Sequence, residues 1–434
     1  MLQSLCLAWM AALSPNSSTQ LPNQHAPAPL FTPVAGYASL GARDIPAYSV
    51  IAPLAGHRTL VFDGEHFDVL DPAGALQRRL ATLPAFVFPS FVAVAPSGFV
   101  AYAGESSNDA LLRVDLVAGT ATQVASLRFN FAACFAAPDE LWISAAPCGW
   151  SCGSELHALD LATHSLTLRG QLTGASGPVT VTGAGELLYG FQANVVPQPG
   201  ELWIGKWSAS QLANAPLLTP MNATKFARDL DGISSIAADT RGGHVFATVA
   251  VGSGFGNPYE IVELDARGER RLVAPAAGTY RSNLVVEHVD GPGALQPFQP
   301  RGARLHWVET DFTVSPARST HHVLEPARPN ARIELASTGR RVLRVTGAPA
   351  NARVSIAMAR LSHALVVEHA VPTSSTLLFT ALPFTSAGEP IARCDALGAL
   401  ERHWPAAYSG RSVVQLYFLD DDGNPIASAP PILD

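Results

Sequence analysis

A repeat of paired strands recurs along the first three quarters of the chain and constrains the fold more than any other feature. In each unit, a strand, a tight turn and a second strand are followed, after a loop, by another such pair. Apolar or small residues around a Pro, Gly, Asp or Asn turn are typical of β-hairpins. The clearest first pairs are Phe91–Gly104, Phe131–Ala145, Val179–Phe191 and Ile233–Ala250.

The second pairs align on one position near a strand end. The aligned residues are Asp71, Asp115, Asp160, Lys206 and Asp265, at separations of 44, 45, 46 and 59 residues. Four strands per unit at this spacing predict the blades of a β-propeller, each a four-stranded sheet of about 40 to 50 residues. A polar side chain before a turn accepts backbone hydrogen bonds or faces solvent, so we interpret these residues as structural markers of the blades.

A sixth unit is weaker than the other five. Its first three strands are predicted at Asn283–Asp290, Arg304–Phe312 and His321–Pro326, while the first unit begins at Tyr48. If the sixth blade lacks its outer strand, Leu30–Leu40 can supply it and close the ring. No apolar stripe of helical period accompanies the strand pairs, which argues against an α/β fold. We therefore predict an all-β chain with a propeller of about six blades over residues 30–326.

From about Ala327 the blade pattern stops. Alternating or apolar strands separated by Gly, Pro, Asn and Ser continue to the C-terminus, as in RRVLRVTG and SVVQLYFL. This pattern predicts a small β-sandwich over residues 327–434.

The N-terminal sequence MLQSLCLAWMAALSP contains an apolar run too short to span a bilayer, which fits the hydrophobic region of a secretory signal. No basic residue precedes the run, because the first one is Arg43, so an untargeted apolar N-terminus is the alternative. Residues 1–29 are interpreted as a signal-like segment and a flexible leader. No later segment approaches about 18 consecutive apolar residues, so we expect a secreted or cell-envelope protein without a membrane span.

Positive charge is sparse and dispersed. The chain has 28 Lys and Arg against 35 Asp and Glu, a net charge of −7, and its only lysines are Lys206 and Lys225. Nucleic-acid binding leaves an electrostatic footprint of clustered basic residues. The charge pattern therefore argues against a nucleic-acid partner.

Three segments carry a resemblance to a known group of proteins. GELLYG (Gly185–Gly190), LLRVDLVAGT (Leu111–Thr120) and HALDLATHSL (His157–Leu166) resemble blades of the NHL-type and lactonase-type propellers of exported bacterial proteins. The C-terminal segment resembles the short β-sandwich that ends many large exported bacterial proteins. The resemblance implies the architecture but no activity, because such propellers include binders, scaffolds and enzymes.

Long loops are predicted on one face of the ring. The loops between second and third strands are long, whereas turns on the opposite face, such as Pro96–Gly98, are minimal. Binding sites favour loops held on a rigid scaffold, so this face is the expected ligand face. Loop aromatics also cover blade edges, which is the alternative role for them. The candidate ligand residues are Trp150, Asn194, Phe255, Asn257 and Tyr259.

Cysteines, acidic clusters and histidines suggest further sites. A disulfide between Cys148 and Cys152 is expected in an oxidising compartment, with free thiols or metal ligation as alternatives. The acidic stretches 229–232 and 420–423 resemble parts of calcium loops, but the first lacks the later ligands and the second fits a hairpin turn. We assign no cofactor, with a divalent cation such as calcium as the alternative.

Adjacent strand residues such as His321 and His322 are expected on opposite faces.

No local catalytic or nucleotide-binding motif occurs in the sequence. The pattern favours a non-catalytic, monomeric recognition protein whose long-loop face binds an extracellular glycan or protein. One alternative is a lactonase-like or lyase-like enzyme with a divalent metal held at the channel mouth by residues from several blades. The other alternative is a structural component of the cell envelope.

Overall fold

The computed structural model describes the propeller nearly completely and the C-terminal region in part. The described residues are 37–147, 149, 153–192, 202–240, 244–252, 257–265, 267–277, 280–288, 303–326, 330–335, 341–346, 348, 353–360, 366–368, 377–379, 392–395, 399–403, 412–419, 425–428 and 432–433.

Five blades are four-stranded antiparallel sheets of consecutive strands. Blade 1 contains β2 (Val50–Leu54), β3 (Arg58–Phe62), β4 (His66–Leu70) and β5 (Leu76–Thr82). Blade 2 contains β6 (Pro89–Val94), β7 (Val100–Glu105), β8 (Ala110–Asp115) and β9 (Thr120–Ser126). Blade 3 contains β10 (Asn130–Ala137), β11 (Glu140–Ala145), β12 (Ser154–Asp160) and β13 (Leu166–Leu172). Blade 4 contains β14 (Val179–Val181), β15 (Leu187–Phe191), β16 (Leu202–Trp207) and β17 (Thr224–Leu230). Blade 5 contains β18 (Ile233–Ala238), β19 (Val245–Ala250), β20 (Tyr259–Leu264) and β21 (Arg270–Ala277).

Blade 6 joins the two ends of the propeller sequence. Three of its strands are consecutive, and the fourth comes from the N-terminal side of the chain: β22 (Tyr280–His288), β23 (Ala303–Asp311), β24 (Arg318–Pro326) and β1 (Tyr37–Ile45). β1 pairs antiparallel with β24, and Arg43 lies opposite His321. The innermost strands contact one another in blade order and β2 contacts β22, so the six-bladed ring is closed.

The closing strand was predicted in the right region with different bounds. β1 begins within the predicted segment 30–40 but continues to Ile45, which is buried between blades 6 and 1. A shift in register between Ser39 and Gly41 lets the strand follow β24 beyond the glycine. The bounds differ because the apolar run ends before the residue that blade packing buries. Residues 30–36 lie outside the described part of the chain.

The aligned aspartates hold turns between third and fourth strands, as the marker interpretation predicts. Asp71, Asp115, Asp160 and Asp265 each accept hydrogen bonds from backbone N–H groups two to four residues later. Lys206 Nζ instead lies 3.1 Å from Oε1 of Glu186, the residue immediately before the neighbouring strand β15. The four aspartates therefore have a local structural role, because an Asp carboxylate accepts hydrogen bonds from the backbone donors that a tight turn leaves unpaired.

Loop lengths agree with the predicted asymmetry in blades 3 and 5, where eight residues join the second strand to the third and six or fewer join the strands at the opposite face. The loops that join second to third strands lie at the face where the first strand of every blade begins, which we call the looped face. In blades 1 and 2 the connections at both faces have five residues or fewer, and in blade 6 the longest connection, residues 289–302, joins β22 to β23. Blade 4 also departs from the prediction of minimal turns on the opposite face. Its third and fourth strands are joined by residues 208–223, which include helix α1 (Ala209–Asn214), capped by Ser208, and a 3-10 turn (Pro220–Asn222).

Beyond Pro326 the described strands form small sheets. One sheet contains β25 (Asn330–Leu335), β26 (Arg341–Thr346) and β31 (Leu400–His403). The other contains β27 (Arg353–Arg360), β30 (Ala392–Arg393), β32 (Ser412–Leu419), β33 (Pro425–Ser428) and β34 (Ile432–Leu433). A separate hairpin contains β28 (Val366–Glu368) and β29 (Leu377–Phe379). Face-to-face packing of the two sheets as a sandwich stays a prediction. Among the described residues, no helix has the length and apolar character needed to cross a membrane.

Candidate functional site

Two of the five predicted ligand residues can be placed in the structure. Tyr259 is the first residue of β20, and Asn257 lies two residues earlier in the same loop. Both belong to the looped face, because third strands begin where second strands end. The other predicted site residues, together with the acidic stretch 420–423, lie outside the described residues: Cys148, Trp150, Cys152, Asn194 and Phe255.

Tyr259 lies at one end of a continuous series of aromatic rings on the looped face, which we call the aromatic arc. Its ring packs edge-to-face against Tyr280, with centroids 5.2 Å apart. Tyr280 lies 6.2 Å from Phe312, and Phe312 lies 6.1 Å from Tyr48. Tyr48 then contacts Phe88 at 6.0 Å. Phe86 ends the arc, 5.2 Å from Phe88.

Topology explains why these six rings meet. Tyr48 and Phe88 precede the first strands of blades 1 and 2, and Tyr280 opens the first strand of blade 6. Phe312 follows the second strand of blade 6. All these positions lie at the looped face, since first strands begin and second strands end there. The arc therefore extends from blade 5 across blade 6 to the connection between blades 1 and 2.

Backbone features of blade 1 position two rings of the arc, Tyr48 and Phe86. Tyr48 adopts a left-handed conformation, with φ of 63°, and its N–H donates to Ser319 Oγ at 3.2 Å. Gly64, in the short turn between β3 and β4, accepts a hydrogen bond from Val87 N–H at 2.8 Å. A Cβ on Gly64 would lie 2.7 Å from the Phe86 ring, so a glycine is required for this close approach.

The arc combines apolar surface with neutral polar groups. Phe86 and Phe312 are 45% and 40% exposed, and the other four rings are half-buried. Burial raises the pKa of the Tyr48, Tyr259 and Tyr280 phenols, so these groups stay protonated at neutral pH. None of the six side chains carries a charge, and the tyrosines add hydroxyl groups that both donate and accept hydrogen bonds.

Asn257 adds a polar group beside the arc. Its Nδ2 atom is buried and has no hydrogen-bond partner among the residues that the structure describes. The same loop is held at its start by Asp231, whose Oδ2 accepts from Gly252 N–H at 3.0 Å. Asp231 belongs to the acidic stretch 229–232, so at least one of its carboxylate oxygens supports the loop. Among the residues that the structure describes, no group of three or more His, Cys, Asp or Glu is placed to hold a metal ion.

His321 and His322 point to opposite faces of β24, as strand alternation predicts. His321 Nε2 lies 3.0 Å from His306 Nδ1, on the side that faces blade 1. His322 stacks on Trp307 with centroids 5.0 Å apart, on the side that faces blade 5. The two histidines therefore do not share a ligand site.

The sequence was also compared with known proteins and structures. No protein-family model matches it, and no curated protein sequence does.

Solved structures match at low identity. A gluconolactonase from Xanthomonas campestris is 15% identical, with coverage of 70% of this chain and 100% of that chain and a TM-score of 0.47. The calcium-binding protein regucalcin from Agrobacterium tumefaciens is 16% identical, with coverage of 64% and 92% and a TM-score of 0.41. Hydrazine synthase from Kuenenia stuttgartiensis is 10% identical, with coverage of 65% and 79% and a TM-score of 0.42. Similarity of this kind concerns the fold alone: the chain is a six-bladed β-propeller distantly similar to propellers of the gluconolactonase and regucalcin type.

Proposed function

We propose that this chain is an exported recognition protein that binds a ligand on the looped face of its propeller. The aromatic arc is the observation that carries the proposal. Six rings from three blade connections and two loops form one continuous surface, with its two most exposed members, Phe86 and Phe312, at different blades. Exposed aromatic surface on a rigid scaffold is typical of binding sites.

A glycan is the ligand that fits the chemistry of the arc best. Sugar rings present apolar C–H faces and peripheral hydroxyls, which match aromatic faces flanked by neutral hydroxyl and amide groups. The arc supplies the phenols of Tyr48, Tyr259 and Tyr280, and Asn257, two residues before Tyr259, has an amide nitrogen without a hydrogen-bond partner among the described residues. The absence of charge on the six rings favours a neutral glycan over an ionic ligand.

Removing the exposed rings tests this proposal. We expect the double variant Phe86→Ala/Phe312→Ala to lose glycan affinity at least about tenfold, because two lost aromatic contacts cost about 1.4 kcal/mol or more. A glycan array followed by isothermal titration of the best glycan measures the loss. Both side chains are exposed at their outer surface, so the melting temperature of the variant should stay close to that of the full chain.

Phe99 offers a matched control. It is 64% exposed but lies in the turn between β6 and β7, on the opposite face of the ring. Phe99→Ala should therefore bind the glycan as the unchanged protein does. Equal affinity of the double variant and the unchanged protein would contradict the role of the arc. Binding of a protein partner, without any glycan on the array, would show that the ligand is a protein.

A further inference from the structure

Exposed apolar side chains of the looped face follow the aromatic arc. Among the described residues, the large apolar side chains that are exposed at this face are Phe86, Val251, Phe312 and Val314. Val251 lies beside the blade 5 end of the arc, because its N–H donates to Pro258 O at 2.9 Å, directly before Tyr259. Within the described part of the chain, the exposed apolar surface of this face therefore crosses the same blades as the arc.

The two most exposed rings of the arc, Phe312 and Phe86, belong to different blades. Tyr48 and Phe88 lie between them, and the centroids follow one another in steps of 6.1, 6.0 and 5.2 Å. Each step is close to the length of one sugar unit in an extended glycan chain. The four rings from Phe312 to Phe86 therefore offer room for about four sugar units.

Neighbouring rings of the arc are not coplanar. The angle between ring planes is 37° for Tyr48 and Phe312, 45° for Tyr280 and Phe312, and between 79° and 83° at the other three contacts. The surface of a crystalline polysaccharide is flat, so its binding needs aromatic rings that lie in one plane. A single chain can rotate about its glycosidic bonds and can meet rings of different orientation. The ring angles therefore favour a single soluble chain.

Hydroxyl groups are distributed unevenly along the arc. Tyr280 and Tyr48 flank Phe312, at 6.2 and 6.1 Å between centroids, whereas the ring next to Phe86 is another phenylalanine. A sugar unit on Phe312 has phenol groups nearby that donate and accept hydrogen bonds, in addition to the stacking contact. A short glycan should therefore bind at Phe312 first, and only a longer chain should reach Phe86.

We propose that the looped face binds a single soluble chain of about four or more neutral sugar units, which extends from Phe312 in blade 6 to Phe86 beyond blade 1. This inference rests on the proposed glycan-binding function, and it adds the physical form and the minimum length of the glycan. Because each stacked ring contributes separately, affinity rises with the number of sugar units until Phe86 is covered.

Titration calorimetry with oligosaccharides of increasing length tests the proposal on the intact protein. The probes are oligomers of glucose, xylose, mannose and galactose, each from one to six units long. In the series that binds, we expect the affinity to rise at least about tenfold between two and four units, because the longer chain gains the contacts that lead to Phe86.

Two outcomes of this titration have different meanings. Equal affinity for every length from one to six units would overturn this inference alone, because a single sugar unit would then make all the contacts. Absence of binding to every series would overturn the proposed function and this inference with it.

Single variants of the two exposed rings locate the chain on the arc. Phe86→Ala should lower the affinity for the six-unit glycan at least about threefold and leave the affinity for the two-unit glycan unchanged, because a short glycan on Phe312 does not reach Phe86. Phe312→Ala should lower the affinity for both lengths. An equal loss for both lengths in Phe86→Ala would overturn the proposed path.

The control variant is Phe99→Ala on the opposite face, which should leave the affinities for both lengths unchanged. Thermal unfolding of each variant checks that the fold is kept, since all three side chains are exposed. If an arc variant fails to fold, the length series of the unchanged protein still decides.

Sedimentation with insoluble polysaccharide distinguishes a single chain from a flat surface. Microcrystalline cellulose and crystalline chitin present sugar chains in one plane. We expect the protein to stay in the supernatant with both solids, because the tilted rings of the arc cannot all contact a plane. Sedimentation with either solid, without affinity for soluble oligomers of the same sugar, would overturn the inference of a single soluble chain.

Discussion

Deleting residues 1–45 is expected to abolish cooperative folding of the propeller, whereas deleting residues 1–36 leaves it intact. The longer deletion removes β1, which pairs with β24 from Tyr37 opposite Pro326 to Ile45 opposite Ser319. It also removes the buried side chains of Tyr37 and Ile45. Losing these two side chains alone costs about 3 to 6 kcal/mol, a large part of the roughly 5 to 15 kcal/mol that stabilises a typical domain.

The deletion would also expose an edge. Without β1, the backbone donors and acceptors of β24 are left unpaired along its outer side, which promotes association between chains. We therefore expect aggregation or a molten state in the longer deletion, measured by size-exclusion chromatography and thermal unfolding. The shorter deletion is the control, because it keeps the whole strand. A cooperative transition at an unchanged temperature in the chain that lacks residues 1–45 would refute the closure role of β1.

Glu309→Ala is expected to destabilise the protein by about 3 kcal/mol, because it leaves a buried guanidinium without its counter-ion. Arg281 is 1% exposed, and its Nε lies 3.0 Å from Glu309 Oε2. The same guanidinium donates to Pro275 O at 2.8 Å and lies 6.0 Å from the Trp307 ring centroid. Since Glu309 is one-fifth exposed, we expect the lower end of the range for breaking a buried pair. Urea unfolding at neutral pH measures the loss.

Two further variants separate charge from packing. Arg281→Met/Glu309→Leu should recover much of the lost stability, because removing both partners leaves no uncompensated charge. Asp68→Ala breaks the exposed pair with Arg79, in which Arg79 Nε lies 2.9 Å from Asp68 Oδ1, and should cost less than about 1 kcal/mol. If Glu309→Ala were no more destabilising than Asp68→Ala, Arg281 would not depend on its counter-ion.

The blade repeat could be predicted from the sequence because it depends on local contacts. Each of the first five blades pairs strands that follow one another along the chain, so hairpin turns and alternating apolar residues carry the information. The turn aspartates are equally local, because Asp115 and Asp160 accept hydrogen bonds from backbone groups within three residues. The repeat pattern of blade 6 was weaker than that of the other blades, because one of its strands, β1, lies more than 270 residues before its partner β24 in the sequence.

The candidate site was predicted only in part. The loop before β20 pointed to Tyr259 and Asn257, but the rings that continue the arc lie at strand ends rather than in long loops. Aromatic residues immediately before a first strand, as at Tyr48 and Phe88, were a sequence signal that could have indicated them. Which of these rings meet depends on the order of blades around the closed ring.

The sequence by itself determined the all-β class and the repeat of four-stranded blades. Those properties follow from strand period, turn chemistry and loop length, which act over a few residues. Only the tertiary structure decided that β1 closes the ring, that Tyr48 meets Phe312, and that Glu287 joins His57 to His306. These contacts join residues more than 200 positions apart or on different strands of a blade, and ring closure brings them together.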